Sequence, residues 1–356
     1  MAVAVSTEKR RRFPWGRPTE STGTTQLSIA WVHFRKRRTG MAGLVVLAVM
    51  LVLSLIVPQI SPFDVTKNQT PLMWNKPMGT LDPNGYVHLF GTDSYGRDLL
   101  TVLFWALRIT MSVALPSALA ATVIGCALGA LAGYLGGKVD AVVMRFTDIM
   151  LTLPIIPAFG IFAPIFRQLF QPISDDTSTL DQLNANLTGS LFVTGLVLAL
   201  FGWQGVCRVT RASVLSLRQQ EFVEASRALG ASNTRIIFRH LLPNAAGPVL
   251  VAMTFALADF IIGLSILSYI DAGAAYSDSA TGVGTLSNGT GSQPSLGTLI
   301  ALGQFFGNLY TVNLNPFESV RAYMVFLPAL CIVLMTLSIN YIGDALRYSL
   351  DPRRMQ

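Results

Sequence analysis

Charge is scarce in this sequence, and sulfur is scarcer. Only 13% of the 356 residues are Asp, Glu, Lys or Arg, and there are three cysteines and three histidines. Cys126, Cys207 and Cys331 fall in separate apolar stretches at no metal-ligand spacing, so neither a disulfide framework nor a zinc site is expected. They read as packing residues. His33, His88 and His240 are far apart along the chain. No His-Glu-x-x-His run or Gly-x-Ser-x-Gly elbow occurs, which removes two common hydrolase signatures. Gly136-Gly137-Lys138 is followed by Val139 and has Ala132 where a phosphate-binding loop needs its first glycine, so this chain is not expected to bind ATP. No catalytic residue, metal or resident cofactor is expected. The formal net charge of +7 does not indicate nucleic acid, because the basic residues gather beside apolar runs and do not interleave with aromatics.

Apolar residues, in contrast, make up 51% of the chain. A helix needs about 20 mainly apolar residues to cross the hydrocarbon of a bilayer. Six stretches qualify, at about 40–58, 106–133, 142–167, 191–209, 246–269 and 322–343. The expected fold class is an all-α polytopic membrane protein with six transmembrane helices. Pro116, Pro154, Pro157, Pro164, Pro248 and Pro328 lie inside these stretches. Neighbouring helices in a bundle can satisfy the carbonyls that proline frees.

Lysine and arginine favour the cytoplasmic side of short loops. Placing the N-terminus inside puts twenty of the 26 basic residues on the cytoplasmic side. Only Lys67, Lys76, Arg97, Arg108, Arg167 and Arg321 then lie outside. Both termini become cytoplasmic, the number of crossings is even, and the semi-apolar stretch from Leu296 to Val312 is expected to lie along the outer surface without spanning. The cluster Arg35-Lys36-Arg37-Arg38 precedes the first span, which reads as an uncleaved anchor. The expected organisation is a basic cytoplasmic tail (1–38), an anchor helix (39–58), an extracytoplasmic segment (59–104), a five-helix core (105–346) and a cytoplasmic C-terminal tail (347–356). The core is interrupted by a cytoplasmic loop at 211–245 and by extracytoplasmic loops at 170–190 and 270–320. Residues 271–295 are rich in Gly, Ser, Thr and Ala and are too poor in apolar surface to fold independently.

The loop at 211–245 carries Glu221-Phe222-Val223-Glu224-Ala225-Ser226-Arg227-Ala228-Leu229-Gly230, and then Leu241-Leu242-Pro243-Asn244. Phe222, Val223, Ser226 and Leu229 recur at helical spacing, with Glu221, Glu224 and Arg227 on the other side, which predicts a short amphipathic helix. Gly230 suits a left-handed C-cap, and Ser232 suits the N-cap of a second helix through Ile236, Ile237 and Phe238. Pro243 is expected to end that helix. By amphipathicity alone, this helix-turn-helix elbow either docks on a partner or lies in the headgroup layer.

Glu224-Ala225, Gly230 five residues after the alanine, and Leu242-Pro243 resemble the EAA loop of binding-protein-dependent ABC transporter permeases. The resemblance extends through Phe90-Gly91-Thr92-Asp93, Gly96-Arg97-Asp98, Ala132-Gly133-Tyr134, Gly136-Gly137, Asp140, Met144-Arg145, Asp148, Arg239-His240, Asn340, Gly343-Asp344, Leu346-Arg347 and Leu350-Asp351-Pro352-Arg353. Together these look like the C-type permease subunit of dipeptide and oligopeptide importers, over roughly residues 30 to 354. The resemblance implies a type I ABC importer permease fold in the inner membrane and three kinds of protein partner. These are a second, B-type permease subunit, two ATP-binding subunits that carry ATP and Mg, and an extracytoplasmic substrate-binding protein; membrane lipid surrounds the assembly. It assigns ATPase coupling to Glu221, Phe222, Glu224, Ala225, Arg227 and Gly230. Phe222 is the apolar anchor, Glu221 and Glu224 are charged contacts, Ala225 permits close approach and Gly230 sets the elbow. Members of this family also import nickel, opines or oligosaccharides, so peptide is one of several substrates the resemblance allows. Gly263-Leu264-Ser265 runs into Ile266-Leu267-Ser268-Tyr269-Ile270 where the family has a Phe-Leu-Gly-Leu-Gly turn, so no role is carried over to the loop beyond it.

Asp259 is the ionisable residue in the interior of an expected span, where a charge costs roughly 2.5–3.5 kcal/mol and normally faces a partner or a watery cavity. It is a translocation-path candidate or half of a structural pair. Gln204 and Asn340 are path candidates too, or interhelical hydrogen-bonding amides. In Gly91-Thr92-Asp93-Ser94-Tyr95-Gly96-Arg97-Asp98, Thr92 or Asp93 is expected to cap the next helix, with Arg97 and Asp98 free for local pairs or for contact with a delivery protein. A self-sufficient secondary transporter or channel is the competing class; it predicts internal repeats and several intramembrane charges, neither of which is evident.

Overall fold

The computed structural model describes residues 26–63, 76–93, 96–154, 157–158, 161–162, 165, 190–280, 295–305 and 320–350. The helices, in order, are α1 (Gln26–Lys36), α2 (Arg38–Ile60), α3 (Leu99–Leu135), α4 (Gly137–Thr152), α5 (Ser190–Phe201), α6 (Gln204–Leu217), α7 (Glu221–Ala228), α8 (Asn233–Ile236), α9 (Leu242–Ala280), α10 (Leu296–Phe305) and α11 (Val320–Ser349). A hairpin of β1 (Thr80–Leu81) and β2 (Val87–His88) precedes α3, with Thr80 opposite His88 and Leu81 opposite Val87.

Among the described residues, five helical stretches are long and apolar enough to cross a membrane: Arg38–Ile60, Leu99–Leu135, Val193–Leu217, Asn233–Ile270 and Tyr323–Ser349. The third of the six expected crossings corresponds to α4, which stops at Thr152 after 16 residues, and much of the chain between there and α5 lies outside the described residues. The tails at 1–25 and 351–356 and the loop at 171–189 lie outside them as well. Two expectations fail. The first part of the stretch at 271–295 continues α9 as helix as far as Ala280. The stretch beginning at Leu296 is not laid along a surface: α10 is wedged among α3, α9 and α11, with Leu296 and Leu299 fully buried. Gly297 permits this position, since a Cβ there would collide with the Ser265 carbonyl oxygen of α9.

Helix α3, 37 residues long, is the spine of the bundle, and its most extensive contact is with α6. Gly125, Gly129 and Gly133 fall on one face of α3 at successive turns. A Cβ at Gly125 would stand 2.7 Å from the Trp203 carbonyl oxygen, one at Gly129 would overlap that of Cys207, and one at Gly133 would stand 2.8 Å from that of Arg211. The two backbones therefore touch over two full turns, as small residues allow where lipid supplies no hydrophobic drive between helices. The Thr210 hydroxyl donates to Cys126 Sγ across the same contact.

The ends of the bundle are distinct. At one end, Ser61 after α2 hydrogen-bonds Thr101 of α3 (2.7 Å), and the β-hairpin sits beside them. At the other, α2 begins against the end of α11. Arg37 lies 3.6 Å from the centre of the Tyr348 ring, and a Cβ at Gly40 would collide with Ala345. The outward side of α2 exposes Val45, Val49, Val52, Leu53 and Ile56, an apolar surface suited to lipid.

The hairpin end holds a buried polar network. Asp98 caps α3, its Oδ2 accepting from the Thr101 backbone N–H (2.9 Å) and hydroxyl (2.6 Å), while its Oδ1 pairs with His88 Nδ1 (3.0 Å). The cap is thus Asp98, not Thr92 or Asp93, because only Asp98 stands three residues before the donor. Asp93 instead pairs with Arg97 (2.7 Å), and Thr92 accepts from the Lys76 N–H (2.8 Å). The Phe63 ring stacks on His88, 4.2 Å between centres.

A Gly129→Val substitution is expected to push α3 from α6 and lower stability by about 1–3 kcal/mol. Gly205→Ala, in the same interhelical region but facing open space, is expected to be neutral or slightly stabilising. Thermal unfolding of the two variants in detergent checks the contrast.

Candidate functional site

At the end opposite the hairpin, α7, α8 and the turn joining them project as an elbow. Glu221, Phe222, Glu224, Ala225, Arg227 and Gly230 are all exposed, whereas Val223 is completely buried. The apolar face expected of this helix is split. Val223 anchors it to the protein, while Phe222 (36% exposed) and Leu229 (88% exposed) are left to solvent.

The bend is built by local chemistry. Gly230 has φ +79°, a left-handed conformation that is cheap for glycine alone. The Ala231 N–H donates to the Ser226 carbonyl (3.1 Å) and the Gly230 N–H to that of Arg227 (2.9 Å), closing α7 as a Schellman motif. The Ser232 hydroxyl then accepts from the Arg235 N–H (3.4 Å) to start α8.

Pro243 does not stop the chain as expected. Ile237–Leu241 form a π-helical turn, and α9 runs on from Leu242 straight through the proline. Pro243 has no N–H for the Arg239 carbonyl, and its ring crowds that oxygen. Widening the turn resolves the clash: the Leu242 N–H reaches back five residues to Ile237, and the Asn244 amide covers the His240 carbonyl (2.6 Å).

Tyr134, in the last turn of α3, is the hub beneath the elbow. Its side chain is buried among Val214, Val223, Ile236 and Leu241. Its hydroxyl donates to Asn233 Oδ1 (2.8 Å), and the Arg227 guanidinium lies 5.2 Å from the ring centre, within cation–π reach. Arg218 Nη1 donates to the Gly133 and Tyr134 carbonyls (3.2 and 3.3 Å), placing a cation at the α3 C-terminus. Two turns earlier on α6, Arg211 grips both oxygens of Asp140 at the start of α4. That guanidinium, mainly through its hydrogen bonds, holds the Asp140 carboxyl below the usual carboxylate range. A depressed carboxyl stabilises the fold at neutral pH and loses that contribution as pH falls below about 4 through the folded value. The Asp148–Arg208 pair (2.6 Å) is more than half exposed and adds little.

The path candidates are not brought together by any hydrogen bond or ion pair among the described residues. Asp259 is exposed on α9, about 25 Å from the elbow at ~1.5 Å per residue. Gln204 is 3% exposed at the start of α6, with Nε2 lacking a partner among the described residues. Asn340 is half-buried on α11. Phe260, beside Asp259, fills the notch at Gly202 where α5 breaks from α6. Nearby, an open cavity of about 320 Å³ is lined by apolar side chains, among them Leu128, Phe146, Met150, Phe201 and Trp203.

Two family models match the chain. Residues 125–356 match the binding-protein-dependent transport system inner membrane component, and residues 25–77 match the N-terminal TM domain of oligopeptide transport permease C. A dipeptide transport system permease protein of Haemophilus influenzae is 27% identical over 333 residues, covering 93% of this chain and 96% of its own length. A dipeptide transport system permease protein of Bacillus subtilis is 30% identical over 324 residues, covering 91% and 85%. An oligopeptide transport system permease protein of the same organism is 26% identical, covering 91% and 88%.

Tyr134→Phe and Asn233→Ala are each expected to cost about 0.5–1.5 kcal/mol, and the double variant less than the sum of the two. Denaturation of the four proteins in detergent measures that coupling.

Proposed function

Because the chain belongs to the family of binding-protein-dependent transport system inner membrane components, we propose that it forms half of the translocation pathway of an ATP-driven peptide importer. A second permease chain completes the pathway, an extracytoplasmic binding protein delivers the peptide, and two ATP-binding subunits in the cytoplasm supply the motion. Dipeptide and oligopeptide transport among the relatives supports peptide over nickel, opines or oligosaccharides. The described part of α4 belongs to one further crossing, the third in chain order, which brings the number to six. The elbow and the basic residues around Arg37 and Lys138 lie on the cytoplasmic side with both termini, in keeping with the bias of lysine and arginine. The paired start of α2 and end of α11 supports placing both termini together.

The observation that carries this reading is the elbow itself: an eight-residue helix seated by one buried valine, with a phenylalanine, a leucine and two glutamates left uncovered. In the assembly an ATPase cleft covers that face. Phe222 enters an apolar hollow, Glu221, Glu224 and Arg227 meet charges at its rim, and Ala225 allows the backbones to approach. Gly230 and the Tyr134 hub make α7 and α8 a rigid lever, so that movement of the ATPase passes into α3, α6 and α9 as a two-state rigid-body step. Asp259, exposed within a span in the isolated chain, faces the pathway at the second permease subunit. Gln204 and Asn340 are assigned to the same pathway.

Glu224→Lys, and Gly230→Val with a β-branched residue at positive φ, are expected to leave the chain inserted and assembled with its neighbours. Both are expected to abolish the rise in ATP hydrolysis that loaded binding protein produces in proteoliposomes. Unchanged stimulation in both would overturn the coupling assignment, and peptide movement by the isolated chain would favour a self-sufficient transporter.

A further inference from the structure

The stretch where α1 meets α2 holds a concentration of charge that no ion pair among the described residues neutralises. Arg35, Lys36, Arg37 and Arg38 are all exposed, and the chain has no acidic residue between Glu20 and Asp64. The packed neighbour is the end of α11, which offers Asp344 and Arg347, both exposed; no ion pair joins Asp344 to the cluster among the described residues. Arg37 is committed to the Tyr348 ring, and its extended backbone (φ −86°, ψ 107°) separates the two helices. Among the described residues, Arg35, Lys36 and Arg38 therefore remain exposed and without an ion-pair partner.

The surroundings identify what would meet that charge. Within two turns of Arg38, α2 becomes the apolar outward face of Val45, Val49 and Val52, so the cations stand at the level where hydrocarbon gives way to headgroups. Phe34 is 3% exposed and packs beside Gly40, fixing α1 to the bundle. Trp31 stacks on Phe34 (5.6 Å between centres, 11° between planes) yet is 53% exposed, an indole left at the depth where indoles favour the membrane interface. We propose that Trp31, Arg35, Lys36 and Arg38 form a binding surface for anionic phospholipid headgroups. The guanidinium forks and the ammonium hold the lipid phosphate, the indole lies among the glycerol backbones, and the acyl chains run along α2. Such a lipid ties the start of α2 and, through Phe34 and Arg37, the end of α11 to one leaflet.

The test uses the assembled complex in vesicles containing equal mole fractions of brominated phosphatidylglycerol or brominated phosphatidylcholine. The Trp31 fluorescence is isolated as the difference from a Trp31→Phe complex. Phosphatidylglycerol is expected to associate with Trp31 more strongly, by about fivefold for each cation engaged. The R35Q/K36Q/R38Q variant is expected to lose that preference, and R35K/R38K, which keeps the charge, to retain most of it. Equal quenching by both lipids, or a preference that survives the triple replacement, overturns the proposal. So does a triple variant that loses its ATP-binding partners during purification while its lipid preference is unchanged, since the cluster would then serve a protein surface.

Discussion

The backbone contact between α3 and α6 is the constraint on which the other arrangements rest. Three glycines at successive turns let the carbonyls of Trp203, Cys207 and Arg211 approach closer than any Cβ would permit. In water such a contact would be one of many packed against a hydrophobic core. In lipid, helices gain little from hiding apolar surface from each other, and close van der Waals approach has to hold them together. The spine is thereby fixed against the one helix that leads directly into the elbow. The polar contacts at the elbow end result from that placement. Arg211 reaches Asp140 and Arg218 reaches the last carbonyls of α3 because α6 lies flush against α3.

Rigidity and exposure are combined in the elbow by dividing labour among neighbouring residues. Val223 seats the helix, Tyr134 ties its far side to α8 through Asn233, and Phe222 and Leu229 are left outward. The π-helical turn at Ile237–Leu241 contributes to this. It carries the chain from the elbow into α9 as an unbroken helical rod, where an ordinary proline break would have introduced a joint. A rod can transmit a push along its length, whereas a joint would dissipate it.

Much of this was legible in the residues. The position of the elbow, the left-handed glycine at 230 and the serine cap at 232 come from short-range rules that hold in any solvent. Most of the apolar spans come from length and composition. The features that escaped were long-range or depended on competition among similar groups. Thr92, Asp93 and Asp98 all had capping chemistry, and only the folded backbone selects Asp98. Tyr134 meets Asn233 across 99 positions, which no local pattern encodes. His88 looked isolated because its partner is apposed only once the hairpin folds back. The burial of α10 was missed because an even number of crossings excluded a span at Leu296 to Val312 and left the outer surface as its place, when it had a slot between α9 and α11. The glycine stripe was present in the sequence, at positions 125, 129 and 133.

The pairing of α2 with α11 joins helices far apart in the sequence, and this bears on the order in which the protein can be made. Gly43 of α2 receives the Ser338 carbonyl of α11, so α2, which meets α3 early, completes its seat only once α11 has emerged. At ~5–20 residues per second that interval is about 15–60 s. During it the side of α2 that faces α11 lacks its partner, which its sequence tolerates because it carries no Asp, Glu or Lys and only Arg38, at its first position, is charged. Closure of the bundle is thus a late, post-insertion event, and a chain truncated before α11 would leave α2 held mainly by α3.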